Sequence, residues 1–205
     1  MDLFERYPQL NICAKDIEKA LALMVDTYKN GGKILVCGNG GSCADSEHIV
    51  GELMKSFVLP RNIPHSDAEK LEKLLGDEAK LFTENLQRGF PAFSLCSQSG
   101  VMTAYNNDVN AELVYAQLLY ASAKENDLLI GISTSGNSKN VVNAVKVAKA
   151  LGIKSLCLTG MKECEIDRFA DCVIKVPETE TYKVQELHLP VYHYLCLETE
   201  KNLFG

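Results

Sequence analysis

Five short, largely apolar runs, KILVC (33–37), AFSLC (92–96), DLLIGIS (127–133), KSLCLT (154–159) and DCVIKV (171–176), are separated by segments that read as helices. Strands that are apolar on consecutive residues suit a sheet covered on both faces. The helical segments fall at 11–29, 42–54, 102–124, 138–151 and, at the end, 181–202. Strand–helix alternation leaves few options, because parallel neighbours need a crossover long enough to hold a helix. The expected architecture is α/β: a three-layer sandwich on a five-stranded parallel sheet. A chain of 205 residues forms this as one domain, 1–205, and no internal repeat divides it.

One stretch breaks the alternation. In FVLPRNIPHSDAEKLEKLLGDEAKLFTENLQRGFP (57–91), Pro60 and Pro64 make the first part non-helical, and Ser66 and Glu69 have the spacing of a capping box. It reads as an inserted loop plus helix, and composition alone leaves a lid, an oligomer contact or neutral padding equally open.

Composition excludes several function classes. A formal net charge of −6 provides no broad basic face for nucleic acid. Any anionic ligand must then be held by backbone donors and hydroxyls, which points to a small molecule. No run of about 18 apolar residues is present to span a bilayer. The opening MDLFERYPQL lacks the basic-then-apolar order of a signal peptide, so the expected location is cytoplasmic. The eight cysteines contain no CxxC pair and lie mostly in apolar runs, as buried free thiols do. Cys43 is the exception, because it sits in a glycine loop.

Two loops have the makings of an anion site. The first strand runs into Cys37-Gly38-Asn39-Gly40-Gly41-Ser42 and then a helix, which brings backbone N–H groups and a helix N-terminus together. A purely steric need for glycine at this turn is the alternative. The third strand ends in Gly131-Ile132-Ser133-Thr134-Ser135-Gly136-Asn137-Ser138. Four hydroxyls in six residues suit a phosphate that accepts many hydrogen bonds without a nearby cation, whereas an N-cap explains only one of them. Both loops stand at carboxyl ends of strands, where open α/β sheets bind ligands. Neither is a dinucleotide or Walker motif, so a phosphorylated metabolite is the expected ligand.

Candidate chemistry lies on two helices. His48 and Glu52 are spaced i, i+4 on one face, and the terminal helix offers Gln185, His188 and His193. A carboxylate and an imidazole beside a phosphate site are the minimum for aldose–ketose isomerisation through an enediol. The same side chains are plausible ligands of a divalent ion, and imidazoles favour zinc. Helix geometry limits that set: Gln185 and His193 are about 12 Å apart along a regular helix and about 80° apart around it. One straight helix does not readily give both to a single ion. A kink at Pro190, or sharing between neighbouring subunits, is therefore expected, and the apolar terminal helix has surface to pack against a partner.

The motifs GNGGS, DSEHIVGEL, NND, ISTSGNS and ETYKVQELHLPVYH, in this order, resemble the phosphoheptose isomerases of the SIS family. The resemblance implies the SIS fold, which is flavodoxin-like, and an enzyme of carbohydrate metabolism that interconverts sedoheptulose 7-phosphate and D-glycero-D-manno-heptose 7-phosphate. It implies that Asn39, Gly40, Gly41, Ser42, Asn107 and Asp108 contact the sugar phosphate and that Ser133, Thr134, Ser135 and Ser138 hold its phosphate. Glu52 and His193 match the family's acid/base pair. His48, Glu52, Gln185 and His193 match its zinc positions, Glu52 and Gln185 also facing substrate. A homotetramer with sites at subunit interfaces is implied as well. The chain departs from the family at Lys55-Ser56-Phe57, where an arginine and an aromatic are usual, at Tyr182-Lys183 in place of Pro-Arg, and in the size of the 57–91 insertion. Non-catalytic SIS adaptors share the fold and loops but lack the acid/base residues, so Glu52, Gln185 and His193 favour an enzyme.

Overall fold

The computed structural model describes residues 3–205. Strands β1 (Ile34–Gly38), β2 (Ala92–Ser94), β3 (Leu128–Ile132), β4 (Lys154–Gly160) and β5 (Cys172–Val176) form one parallel sheet in the order β2-β1-β3-β4-β5. The helices in chain order are α1 (Leu3–Arg6), α2 (Ala14–Lys29), α3 (Gly41–Met54), α4 (His65–Leu75), α5 (Ala79–Asn85), α6 (Ser99–Tyr105), α7 (Val114–Ser122), α8 (Lys139–Ala150) and α9 (Thr181–Phe204).

Successive strand residues point to opposite faces, and they divide between two cores. Ile34, Val36, Leu128, Ile130, Leu156 and Leu158 pack with Ile17, Met24, Ile49, Leu53, Val191 and Leu195 of α2, α3 and α9. Leu35, Cys37, Leu129 and Cys157 pack with Leu118, Leu119, Val141 and Val145 of α7 and α8. Each such aliphatic side chain contributes about 1.5–3 kcal/mol when fully buried, which is why the double-sided apolar runs are strands at the sheet's centre. β1 and β3 are adjacent, but the chain leaves them in opposite directions across the sheet: β1 is flanked by β2 on one side and β3 by β4 on the other. The crevice at their carboxyl ends is the topological switch point at which such folds bind ligands.

The structure corrects three local expectations. The second strand ends at Ser94, and Leu95–Ser97 form a 3₁₀ turn whose first amide group is capped by the Ser94 hydroxyl, which accepts from the Cys96 N–H at 3.2 Å. The single helix expected over 102–124 is broken by a π-helical turn at Asn106–Asn110 and a 3₁₀ turn at Ala111–Leu113. The Asn110 side chain accepts from the Glu112 N–H at 2.8 Å, offering the backbone a local alternative to the helix ladder. No capping box forms at Ser66 and Glu69, because the helix starts one residue earlier at His65, directly after Pro64. Pro190 does not interrupt α9, which runs from Thr181 to Phe204.

The 57–91 segment has two distinct parts. Arg61 is fully buried and its Nε donates to Glu200 Oε1 at 2.6 Å. Glu200 also accepts from the backbone N–H groups of Phe57, Val58 and Leu59 at 2.8–2.9 Å. Arg61 in turn donates to the carbonyls of Leu53 at 2.7 Å and Glu52 at 3.3 Å, satisfying acceptors that the end of α3 leaves open. By contrast, α4 buries no residue, and Leu74 is 80% exposed.

Candidate active site

The glycine loop turns at Gly40, whose φ of +56° is strained for any other residue. Gly41 faces the side-chain amide of Gln185: a Cβ here would lie 2.7 Å from its Nε2. Ser42 is buried at the start of α3. Across the crevice, Gly136 carries the hydroxyl-rich turn with φ +65°, and a Cβ added to it would fall 2.2 Å from Cys164 Sγ. Its N–H donates to Ser133 O at 2.9 Å, and Ser133 Oγ donates to Ser138 Oγ at 3.0 Å. Thus Ser133 and Ser138 converge, Ser135 is exposed on the turn, and Thr134 is half-buried between them.

The two loops are fastened to each other. Asn39 Nδ2 donates to Asn140 Oδ1 at 2.8 Å and Asn140 Nδ2 to Asn39 Oδ1 at 2.9 Å, a reciprocal amide pair between the glycine loop and the first turn of α8. The Tyr115 hydroxyl donates to Gly38 O at 2.6 Å, fixing the loop from α7. Sequence reasoning missed both residues, since neither lies in a motif. Asn107 and Asp108 sit on the exposed π-helical turn, where Asn107 Nδ2 donates to Asp108 Oδ1 at 2.8 Å. The 3₁₀ turn that follows it is tied to α8 through Asn143, whose amide donates to Glu112 O at 2.9 Å.

Helices α3 and α9 supply the ionisable cluster. His48 Nε2 lies 3.3 Å from Glu52 Oε1 and 3.4 Å from His193 Nε2. Glu52 Oε2 accepts from Lys55 Nζ at 3.2 Å. The Phe57 ring packs 5.8 Å from that of His193, centroid to centroid. Behind His48, the Tyr192 hydroxyl lies 3.0 Å from its Nδ1 and 3.2 Å from Asp45 Oδ1. Asp45 is three residues before His48, so its place on the same helix face was readable from spacing. His193 has its pKa lowered by burial and by His48, against the pull of Glu52, which favours a neutral imidazole that can accept a proton.

Three other readings can be placed, and the free thiols are as expected. His188 is fully buried, with Nε2 3.4 Å from Thr159 O and its pKa pushed down by burial to about 4, so it is a neutral core residue outside the cluster. Cys43 is raised to about 11, chiefly by burial and then by Cys96, which leaves it a thiol. All eight cysteines are free.

The cluster fits a zinc ion in part. Bonds of about 2.0–2.1 Å to a tetrahedral ion separate ligand atoms by about 3.3–3.4 Å, and both edges at His48 have that length. Among the described residues no group of three or more His, Cys, Asp and Glu is placed to hold a metal ion. Gln185 does not join it: it stands at Gly41, about 10 Å back along α3 from His48. Gln185 and His193 stand apart on α9, and His193 meets His48 within one chain.

A five-stranded sheet with a glycine loop and a serine loop at its switch point defines the class. The SIS domain models match residues 9–78 and 101–196. Phosphoheptose isomerase from Aliarcobacter butzleri is 38% identical over 91% of this chain and 85% of its own length. That from Akkermansia muciniphila is 32% identical over 100% and 95%. The solved structure of phosphoheptose isomerase from Neisseria gonorrhoeae superposes with a TM-score of 0.76 at 28% identity, covering 96% of this chain and 91% of that one. The chain belongs to the phosphoheptose isomerase family.

Proposed function

We propose that this chain is an aldose–ketose isomerase that interconverts sedoheptulose 7-phosphate and D-glycero-D-manno-heptose 7-phosphate. The observation that carries the reading is the Glu52–His48–His193 cluster, set along α3 from the two loops of the switch point. The reacting carbons of a heptose 7-phosphate lie at the opposite end of the molecule from its phosphate. A separation of about 10 Å between Gly41 and His48 along α3 suits such a ligand.

In this reading Ser133, Thr134, Ser135 and Ser138 hold the phosphate. Asn39, Gly40, Gly41, Ser42, Asn107, Asp108 and Gln185 bind the sugar. Glu52 removes a proton from C1 of the ketose, whose acidity comes from the adjacent C2 carbonyl. The resulting enediol is reprotonated at C2, and His193 moves the proton between the two oxygens. A zinc ion bound at His48, with Glu52 and His193 closing on it, would polarise the substrate oxygens. Burial lowers the His193 pKa and so favours its neutral imidazole, and the Phe57 ring packs beside it. The protein works as a cytoplasmic homotetramer; among the described residues no helix is long and apolar enough to cross a membrane.

The test is an assay of the purified chain against C5, C6 and C7 ketose phosphates. Turnover greatest on sedoheptulose 7-phosphate supports the reading. Turnover greatest on a shorter sugar reassigns the substrate, and no turnover on any of them makes the chain a binding protein.

A further inference from the structure

The geometry points to Asp45 and Tyr192 as a positioning pair that fixes the tautomer of His48, so that its Nε2 presents a lone pair toward Glu52 and His193. The Tyr192 hydroxyl has one proton and two neighbours able to take it, His48 Nδ1 at 3.0 Å and Asp45 Oδ1 at 3.2 Å. Asp45 Oδ2 is buried and has no hydrogen-bond partner among the described residues. A proton given to His48 would leave the Asp45 carboxylate without the Tyr192 donor as well, and buried carboxylate oxygens without donors are costly. Tyr192 therefore donates to Asp45 and accepts from His48, which must carry its proton on Nδ1.

The consequence falls on the other side of the ring. With Nδ1 protonated, His48 Nε2 is an acceptor facing a carboxylate oxygen at 3.3 Å and a second imidazole nitrogen at 3.4 Å. The His48 Nε2 lone pair and the Glu52 carboxylate are then two acceptors facing each other, an opposition relieved by a cation or by a proton such as one carried on His193 Nε2. A carboxylate that reaches a histidine through an intervening group, and so orients it toward a metal, is a recognised arrangement behind ligand imidazoles. Here the relay runs Asp45–Tyr192–His48, and Tyr192 is held rigidly because it is almost fully buried. The benefit to metal binding rests on the proposed zinc reading; the tautomer does not.

The two are separated by measuring them separately. The chain has four histidines, so long-range proton–nitrogen correlation spectra of the ¹⁵N-labelled, metal-stripped full chain at pH 8 identify the His48 tautomer directly. The wild type should be the Nδ1–H form. Tyr192→Phe, which keeps the ring in its core position, should give a mixture. Asp45→Ala frees the Tyr192 proton for His48 and should move the ring toward Nε2–H. Competition with a chelator should then show zinc held 10–100-fold less tightly by Tyr192→Phe. An Nε2–H tautomer in the wild type, or an unchanged tautomer in both variants, overturns the assignment. The expected tautomers with no zinc binding in any form would instead remove the metal reading while leaving the positioning pair in place.

Discussion

Two ionisable clusters share α9 and could hardly be satisfied more differently. Toward the C-terminal end of α9, every polar side-chain atom of the buried pair Arg61–Glu200 has a partner: Glu200 accepts from three backbone N–H groups and one guanidinium nitrogen, and Arg61 also donates to two carbonyls. Two turns back, His48, Glu52 and His193 face one another at 3.3–3.4 Å while partly open to solvent. A charge buried with every partner present holds a fold together, and acceptors crowded together at a crevice are poised to take a proton or a cation. The difference supports a structural role for the first cluster and is consistent with the chemistry proposed for the second. They are not independent, because Arg61 grips the carbonyl of Glu52 and Glu200 anchors the segment that brings Phe57 to His193.

Substitutions should separate the two roles. Glu52→Gln should lower turnover by about 10²–10⁴-fold with little change in unfolding midpoint, whereas a large loss of stability would place Glu52 with the structural cluster. Glu200→Ala leaves Arg61 buried without its counter-charge and should destabilise the fold by roughly 3–5 kcal/mol in denaturant titrations. A loss under about 1 kcal/mol would show that the pair is not the anchor of the 57–61 segment. The same carboxylate sets an acid response. Burial alone would raise its pKa, but the N–H groups of Leu59, Phe57 and Val58 together with Arg61 outweigh burial and lower it below the ordinary 4.5. Its contribution is therefore present above about pH 4.5 and lost as pH falls through the lowered value. Stability of Glu200→Gln should fall less steeply over that acid range than that of the wild type, and parallel curves would contradict the linkage.

Ser135→Ala removes a donor that acts in ground and transition states alike, so KM for the sugar phosphate should rise roughly 2–10-fold with kcat nearly unchanged. An unchanged affinity by calorimetry would mean the loop does not hold the phosphate. The smallest effect is expected at Lys55→Met. Its ion pair with Glu52 is at the surface, so stability should shift by less than about 1 kcal/mol.

What could be read from the sequence follows from how local each signal is. Consecutive apolar residues in ILVC and LLIGI are a local signature of a buried parallel strand, and the sheet contains both. His48 and Glu52 were paired by helical spacing alone, and the glycine and serine loops by their place after strands. The meeting of His193 with His48 depends on how α9 crosses α3, 145 residues away in sequence, and no local pattern encodes that. Arg61 and Glu200 were missed for the same reason: 139 residues separate them, and each looks like an ordinary surface charge. The break at 106–113 was hidden because Asn110 satisfies the backbone locally inside a segment whose composition is helical.

The central claim, that Glu52 in the open cluster performs the proton transfer, is tested most directly by running the isomerisation in D₂O and following the sugar by NMR. The account predicts deuterium at C2 of the aldose formed from sedoheptulose 7-phosphate and at C1 of the recovered ketose. It also predicts that Glu52→Gln, folded and still binding the sugar phosphate, slows this incorporation at least 100-fold. Incorporation at the wild-type rate in Glu52→Gln, or isomerisation with no deuterium entering at carbon even at the earliest times, would contradict it.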